Sequence, residues 1–128
     1  MTILGLDYGK KRIGLAISEG EIAKPLPPLF VKSKKDTFEK LSRLITTQKI
    51  EKIIFGLPSP DTIGANNFAN ELKDLTGVKI EFRDETLTSE LAKKLIKEKK
   101  RAHPQKGGVD SLAAALLLQE AVDEQKSQ

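Results

Sequence analysis

Cysteine and tryptophan are absent from this 128-residue chain, and histidine occurs once. Without cysteine there is no disulfide framework, no thiolate nucleophile and no cysteine-based zinc site. A single histidine excludes a multi-histidine metal centre but leaves a carboxylate centre open. Aromatic residues are scarce at 5%, so base stacking is expected to play a minor part in any nucleic-acid contact. No apolar run approaches the ~18–20 residues that a bilayer span requires. No basic segment followed by an apolar stretch opens the sequence. The expectation is a cytoplasmic protein without a membrane partner. Hydrophobic residues at 38% and charged residues at 31% give a globular composition, and the length suits a single domain over 1–128 with one core.

Lysine and arginine number 22 against 18 acids, a net charge of +4. Such a surplus suits a polyanion only if it is concentrated. It is: Lys10, Lys11 and Arg12 are consecutive, and Lys93, Lys94, Lys97, Lys99, Lys100, Arg101 and Lys106 crowd a second segment. Charge of this kind positions phosphates rather than reads sequence. A solvated basic helix end has the same composition, since cations also favour a helix C-terminus.

Residues Ile3–Leu6 and Ile13–Ile17 read as two strands of a hairpin, with Gly9 supplying an unusual φ in the link. Leu26 to Val31 reads as a third strand, which Pro25, Pro27 and Pro28 confine to an edge. Asp36 is expected to open a helix, with Glu39 at capping-box spacing and Phe38, Leu41, Leu44 and Ile45 on one face. Lys52 to Leu57 reads as a strand and 59–65 as a loop. Phe68, Leu72 and Leu75 mark a helix stopped by Gly77, and Val78 to Phe82 is the next strand. Thr88 is the expected N-cap of a further helix, and a final helix spans about Val109 to Glu124. There is no internal repeat, low-complexity segment or linker. The order ββ(β)αβαβαα predicts an α/β fold, a mixed sheet flanked by helices, with the later strands parallel to the first.

In such sheets ligands gather beyond the carboxyl ends of the parallel strands. Asp7 follows the first strand, Asp84 and Glu85 follow the last, and Asp110 begins the final helix in line with Ala113, Ala114, Leu117 and Ala121. Asp7, Glu85 and Asp110 can therefore converge. Clustered carboxylates repel one another unless a cation neutralises them. Their hard oxygens suit Mg²⁺ or Mn²⁺, and two such ions ~4 Å apart can activate water and stabilise the leaving oxygen of a phosphodiester. Each acid also has an ordinary reading: Asp7 as a turn acid, Glu85 as a solvated loop acid, Asp110 as a helix cap. His103, beside Pro104, is either an aid to proton transfer or an incidental loop residue.

The run Gly5–Leu6–Asp7–Tyr8–Gly9–Lys10–Lys11–Arg12–Ile13–Gly14–Leu15–Ala16 closely resembles the opening motif of the YqgF/RuvX family of RNase H-like proteins. Gly56–Leu57–Pro58 with Gly64 and Phe68 resembles its second motif. Asp84–Glu85 with Leu87–Thr88 resembles its acidic motif, and Val109 to Ala115 its C-terminal motif. The resemblance spans nearly the whole chain in the family's order. It implies an RNase H-like five-stranded sheet and a divalent-metal-dependent nuclease of structured nucleic acid. Asp7, Glu85 and Asp110 would be its catalytic metal ligands. Lys10, Lys11, Arg12, Lys97, Lys99, Lys100 and Arg101 would contact nucleic acid. Family members are assigned to 5′-end maturation of pre-16S rRNA, and some are described as Holliday junction resolvases. Pre-rRNA, branched DNA and the ribosome are the implied partners, for a monomer or homodimer. Thr86 stands where the family usually has arginine, and the segment from Ala102 to Gly108 is divergent.

Two other functions fit parts of the pattern. A non-catalytic RNA- or ribosome-binding module would show salt-sensitive binding without metal-dependent cleavage. An ATP-dependent phosphotransferase shares the Asp–X–Gly after a first strand, but such enzymes clamp nucleotide between two domains, and no Walker-type loop is present.

Overall fold

The computed structural model describes residues 1–57, 62–84 and 108–126. Among them, β1 (Thr2–Asp7), β2 (Arg12–Ser18), β3 (Ala23–Phe30), β4 (Ile50–Leu57) and β5 (Lys79–Asp84) form a five-stranded sheet of order β3-β2-β1-β4-β5. β2 pairs antiparallel with both β1 and β3, whereas β4 and β5 extend the sheet parallel to β1. The expected mixed sheet is thus present, and the proline-rich β3 lies at an edge. Val31 N–H donates to Lys11 O at 2.9 Å, which ties the end of β3 to the β1–β2 turn.

Strand alternation divides the core into two layers. Leu4, Leu6, Ile13, Leu15, Ile53 and Phe55 face one side and pack with Leu41, Ile45, Ala65, Phe68, Ala69 and Leu72. Those partners come from α1 (Lys34–Thr47) and α2 (Thr62–Thr76). Ile3, Ala16 and Ile54 face the other side, against Ala114, Leu117, Leu118, Ala121 and Val122 of α3 (Gly108–Lys126). Leu117, Leu118 and Val122 are almost fully buried, each gaining about 1.5–3 kcal/mol from transfer out of water. A Cβ added at Gly5 would meet Ala114 O at 2.8 Å and Leu118 Cβ at 2.9 Å. Glycine at position 5 therefore allows α3 to approach the sheet.

Three local expectations need correction. The cap of α1 is Ser33, whose Oγ accepts from Asp36 N–H at 3.1 Å. Asp36 thus lies inside the first turn, where its charge favours the helix dipole. Residues 62–65 are helical rather than a loop, because Ala65 is fully buried in the core. That burial outweighs the ~1 kcal/mol that Gly64 costs within a helix. Gly9 does not adopt a left-handed φ; it is needed because a Cβ there would run into Arg12 O. Gly77 does stop α2, at φ +72 with its N–H donating to Lys73 O. The helix expected from Thr88 lies outside the described residues.

Candidate active site

Asp7 is the last residue of β1 and is half-buried. It shares the strand face of Ile3 and Gly5, so it stands on the side of the sheet covered by α3. Its register partners are Gly14 on β2 and Gly56 on β4. Directly opposed residues have Cβ atoms only ~4.5–5.5 Å apart. A larger residue at either position would therefore wall in the Asp7 carboxylate. Both positions are glycine, and both are buried.

One row further, Gly56 pairs with Arg83 and Leu57 with Asp84. The end of β5 thus lies two strand spacings from Asp7, roughly 10 Å, on the same carboxyl edge. Glu85 follows Asp84 directly in sequence and lies outside the described residues, as do Lys97, Lys99, Lys100, Arg101 and His103. Asp110 is the third residue of α3. Its neighbour Ser111 is fully buried, and Ser111 Oγ accepts a long bond of 3.4 Å from Leu15 N–H. Leu15 borders the register shift between β2 and β3, and it pairs with Leu6, the residue before Asp7. The start of α3 is therefore tethered next to the end of β1. Sequence reading missed this role for Ser111, because a serine beside a helix start ordinarily reads as solvated.

The far half of α3 is fixed by charge. Arg83 ion-pairs with Glu124 and lies 3.7 Å from Glu120 Oε1 and 3.4 Å from Glu81 Oε2. The hydrogen bond that Arg83 donates to Glu124 is the main force raising the Arg83 pKa above its ordinary value, opposed in part by burial. The same bond holds the Glu124 carboxyl below its usual range. The signal was present in sequence: Glu81 and Arg83 alternate onto one strand face, and Glu120 and Glu124 are four apart on a helix.

Lys10 and Lys11 on the β1–β2 turn and Arg12 at the start of β2 are exposed, following Asp7, Tyr8 and Gly9. The Arg12 guanidinium lies 5.5 Å from the centre of the Phe30 ring. That cation–π contact orients it on the sheet's edge. Among the described residues no helix is long and apolar enough to cross a membrane.

Carboxylate oxygens are hard donors of the type that hold Mg²⁺ or Mn²⁺. Asp7 supplies such a donor at this edge, so the donor chemistry here fits such an ion.

Known proteins resemble this chain over nearly its whole length. Residues 1–124 match the RuvX family, described as "Holliday junction resolvase". A protein of Thermoanaerobacter pseudethanolicus named "Putative pre-16S rRNA nuclease" is 37% identical, with 99% of each chain covered. One of the same name from a Sulfurihydrogenibium species is 39% identical over 94% of this chain and 89% of its own. Among solved structures, Thermus thermophilus RuvC superposes with a TM-score of 0.64 at 15% identity, covering 99% of this chain and 97% of that one. The fowlpox virus Holliday junction resolvase gives 0.60 at 14% identity, covering 98% and 99%. These two likenesses show the RNase H-like fold. With near-complete coverage at 37% and 39% identity and a family match from residue 1 to 124, the chain belongs to the RuvX family of resolvases, enzymes that hydrolyse phosphodiester bonds.

Proposed function

We propose that residues 1–128 form a single nuclease domain that cleaves structured nucleic acid with the help of a divalent cation, and that its substrate is the 5′ end of pre-16S rRNA. The observation that carries the reading is the position of Asp7. It ends a central strand, between two glycines, beside the tethered start of α3 and on the edge where β5 also ends. Asp7, Glu85 and Asp110 would hold Mg²⁺ or Mn²⁺. When bound, the ion would supply Lewis-acid charge at the phosphate and lower the pKa of water. The chain's own residues bring the substrate there. Lys10, Lys11 and Arg12 attract phosphates at the turn after Asp7, and Lys97, Lys99, Lys100 and Arg101 add charge from the segment before α3. The choice of RNA is supported by the names of the full-length relatives.

A four-way DNA junction is the second reading, favoured by the family's description. Purified protein is to be assayed on a pre-rRNA fragment and on a junction, with and without Mn²⁺. The expected result is Mn²⁺-dependent cleavage of the rRNA fragment, lost in Asp7→Asn while the circular dichroism is unchanged. Preferential cleavage of the junction would move the assignment to DNA. Full activity of Asp7→Asn would remove the mechanism. Salt-sensitive binding without any metal-dependent cleavage would make the chain a binding module.

A further inference from the structure

A groove of about 320 Å³ opens on the opposite side of the sheet from α3, at the same carboxyl edge as Asp7. Tyr8 and Lys10 of the β1–β2 turn, Lys34 of α1, and Gly64, Asn67 and Phe68 of α2 help to line it. Tyr8 is the residue after Asp7 and alternates onto this side, where its ring lies 5.0 Å from Phe68 and 6.0 Å from Phe55. Phe38 stacks on Phe68 at 4.9 Å, and Phe82 meets Phe55 edge-on at 5.7 Å. Five of the chain's six aromatic residues are thus gathered behind one groove. They form an apolar wall, with half-buried Tyr8 at its open face and the buried Phe68 at its floor.

We infer that this groove receives one unpaired nucleotide of the bound strand, its base against Tyr8 and Phe68 and its phosphate between Lys10 and Lys34. The inference rests on the nuclease reading, because it makes the groove a neighbour subsite of the phosphate at Asp7. Size selects the ligand: the volume is near the lower end of ligand pockets, enough for one nucleotide and too small for a base pair. Charge agrees. Lys34 pairs with Glu71 at 2.6 Å, but both side chains are about half exposed, and such pairs are weak. A phosphate can therefore take the Glu71 carboxylate's place on the Lys34 ammonium. Asn67 is exposed at the rim and offers an amide donor and acceptor to a base edge. Gly64 keeps the wall of α2 low at the entrance. A strand lying across this edge would place one phosphate over the α3 side and turn the adjoining base into the groove.

The test uses the full chain without metal, so that cleavage plays no part, and short single-stranded oligonucleotides carrying a photoreactive thio-base, as RNA and as DNA. Cross-links to peptides containing Tyr8 or Phe68 are expected. Asn67→Asp and Lys34→Glu should weaken binding at least about fivefold. Lys73→Glu, the same charge reversal at the far end of α2, should change it less than about twofold. All three positions are exposed, and the folded state of each variant is checked by thermal melting. Equal losses in Lys34→Glu and Lys73→Glu, or cross-links confined to other peptides, would overturn the groove as a subsite. Cross-links with RNA and DNA alike support a shared phosphate-and-base site, and with one alone they name its sugar. If the wild type cross-links in the groove but never cleaves with Mn²⁺, the subsite stands and the nuclease reading falls. Mn²⁺-dependent cleavage without groove cross-links has the converse meaning.

Discussion

Gly56 stands directly beside Asp7 across the β1–β4 ladder. The smallest residue is thus placed next to the carboxylate on which the proposed chemistry depends. Gly56 is buried, so a methyl group there would crowd the packing beside Asp7 without altering charge. Gly56→Ala is expected to reduce Mn²⁺-dependent cleavage by at least about tenfold, since small misplacements at a reacting centre cost about that much or more. The measurement is kcat on the cleaved substrate, with thermal melting to show that the sheet is intact. A variant as active as the wild type would show that the packing beside Asp7 does not position its carboxylate.

Gly5 sets the height of α3 over β1. Gly5→Ala should cost about 1–3 kcal/mol, the usual penalty of overpacking, because the contacts it meets include backbone. It should also lower activity, since Asp110 and Asp7 are carried on the two elements forced apart. Urea denaturation and the cleavage assay together test this, and an unchanged midpoint would contradict the close approach.

Ser111 accepts the Leu15 N–H within the protein interior. In Ser111→Ala this partner is lost, with an expected cost of about 1–3 kcal/mol. The Leu15 amide should also exchange with deuterium faster than the amides of Leu4 and Ile54 in the neighbouring strands.

Glu124 and Arg83 give a pH-dependent tether. The folded-state pKa of Glu124 lies below its ordinary 4.5, chiefly through the hydrogen bond from Arg83. The stabilisation is therefore complete above pH 4.5 and is lost as pH falls through the lower folded value. Glu124→Gln should melt earlier than the wild type at neutral pH, with the two curves converging in the acid range. Arg83, whose pKa is raised above its ordinary value, stays charged throughout and does not alter this direction.

Lys49 follows α1 with φ +53, a left-handed conformation that side chains disfavour. Its N–H still donates to Thr46 O at 3.4 Å. Lys49→Gly should relieve the strain and raise stability by up to about 1 kcal/mol, read as a higher urea midpoint without loss of cleavage.

Much of the fold was legible because short-range rules governed it. The apolar runs at Ile3–Leu6 and Ile13–Ile17 became β1 and β2, the prolines put β3 at an edge, and Gly77 ended α2. The errors fell where a tertiary contact competed with local preference. Pro60 and Gly64 suggested a loop until Ala65 proved to be core. Asp36 resembled a cap, but Ser33 held the geometry. Gly9 was read for its φ, whereas the nearness of Arg12 O was the constraint.

Residue types and their local spacing were enough to define the chemistry on offer: no thiols, one imidazole, carboxylates at the ends of apolar runs, and basic clusters near them. Those features depend on residue type and on neighbours a few positions away, which periodicity and turn chemistry report directly. That Gly14 and Gly56 flank Asp7, that Ser111 anchors α3 to β2, and that five dispersed aromatic rings back a single groove emerged with the folded chain. Such relationships join residues dozens of positions apart. They are set by strand order and register, which arise from packing the whole sheet against helices on both faces and not from any local run of residues.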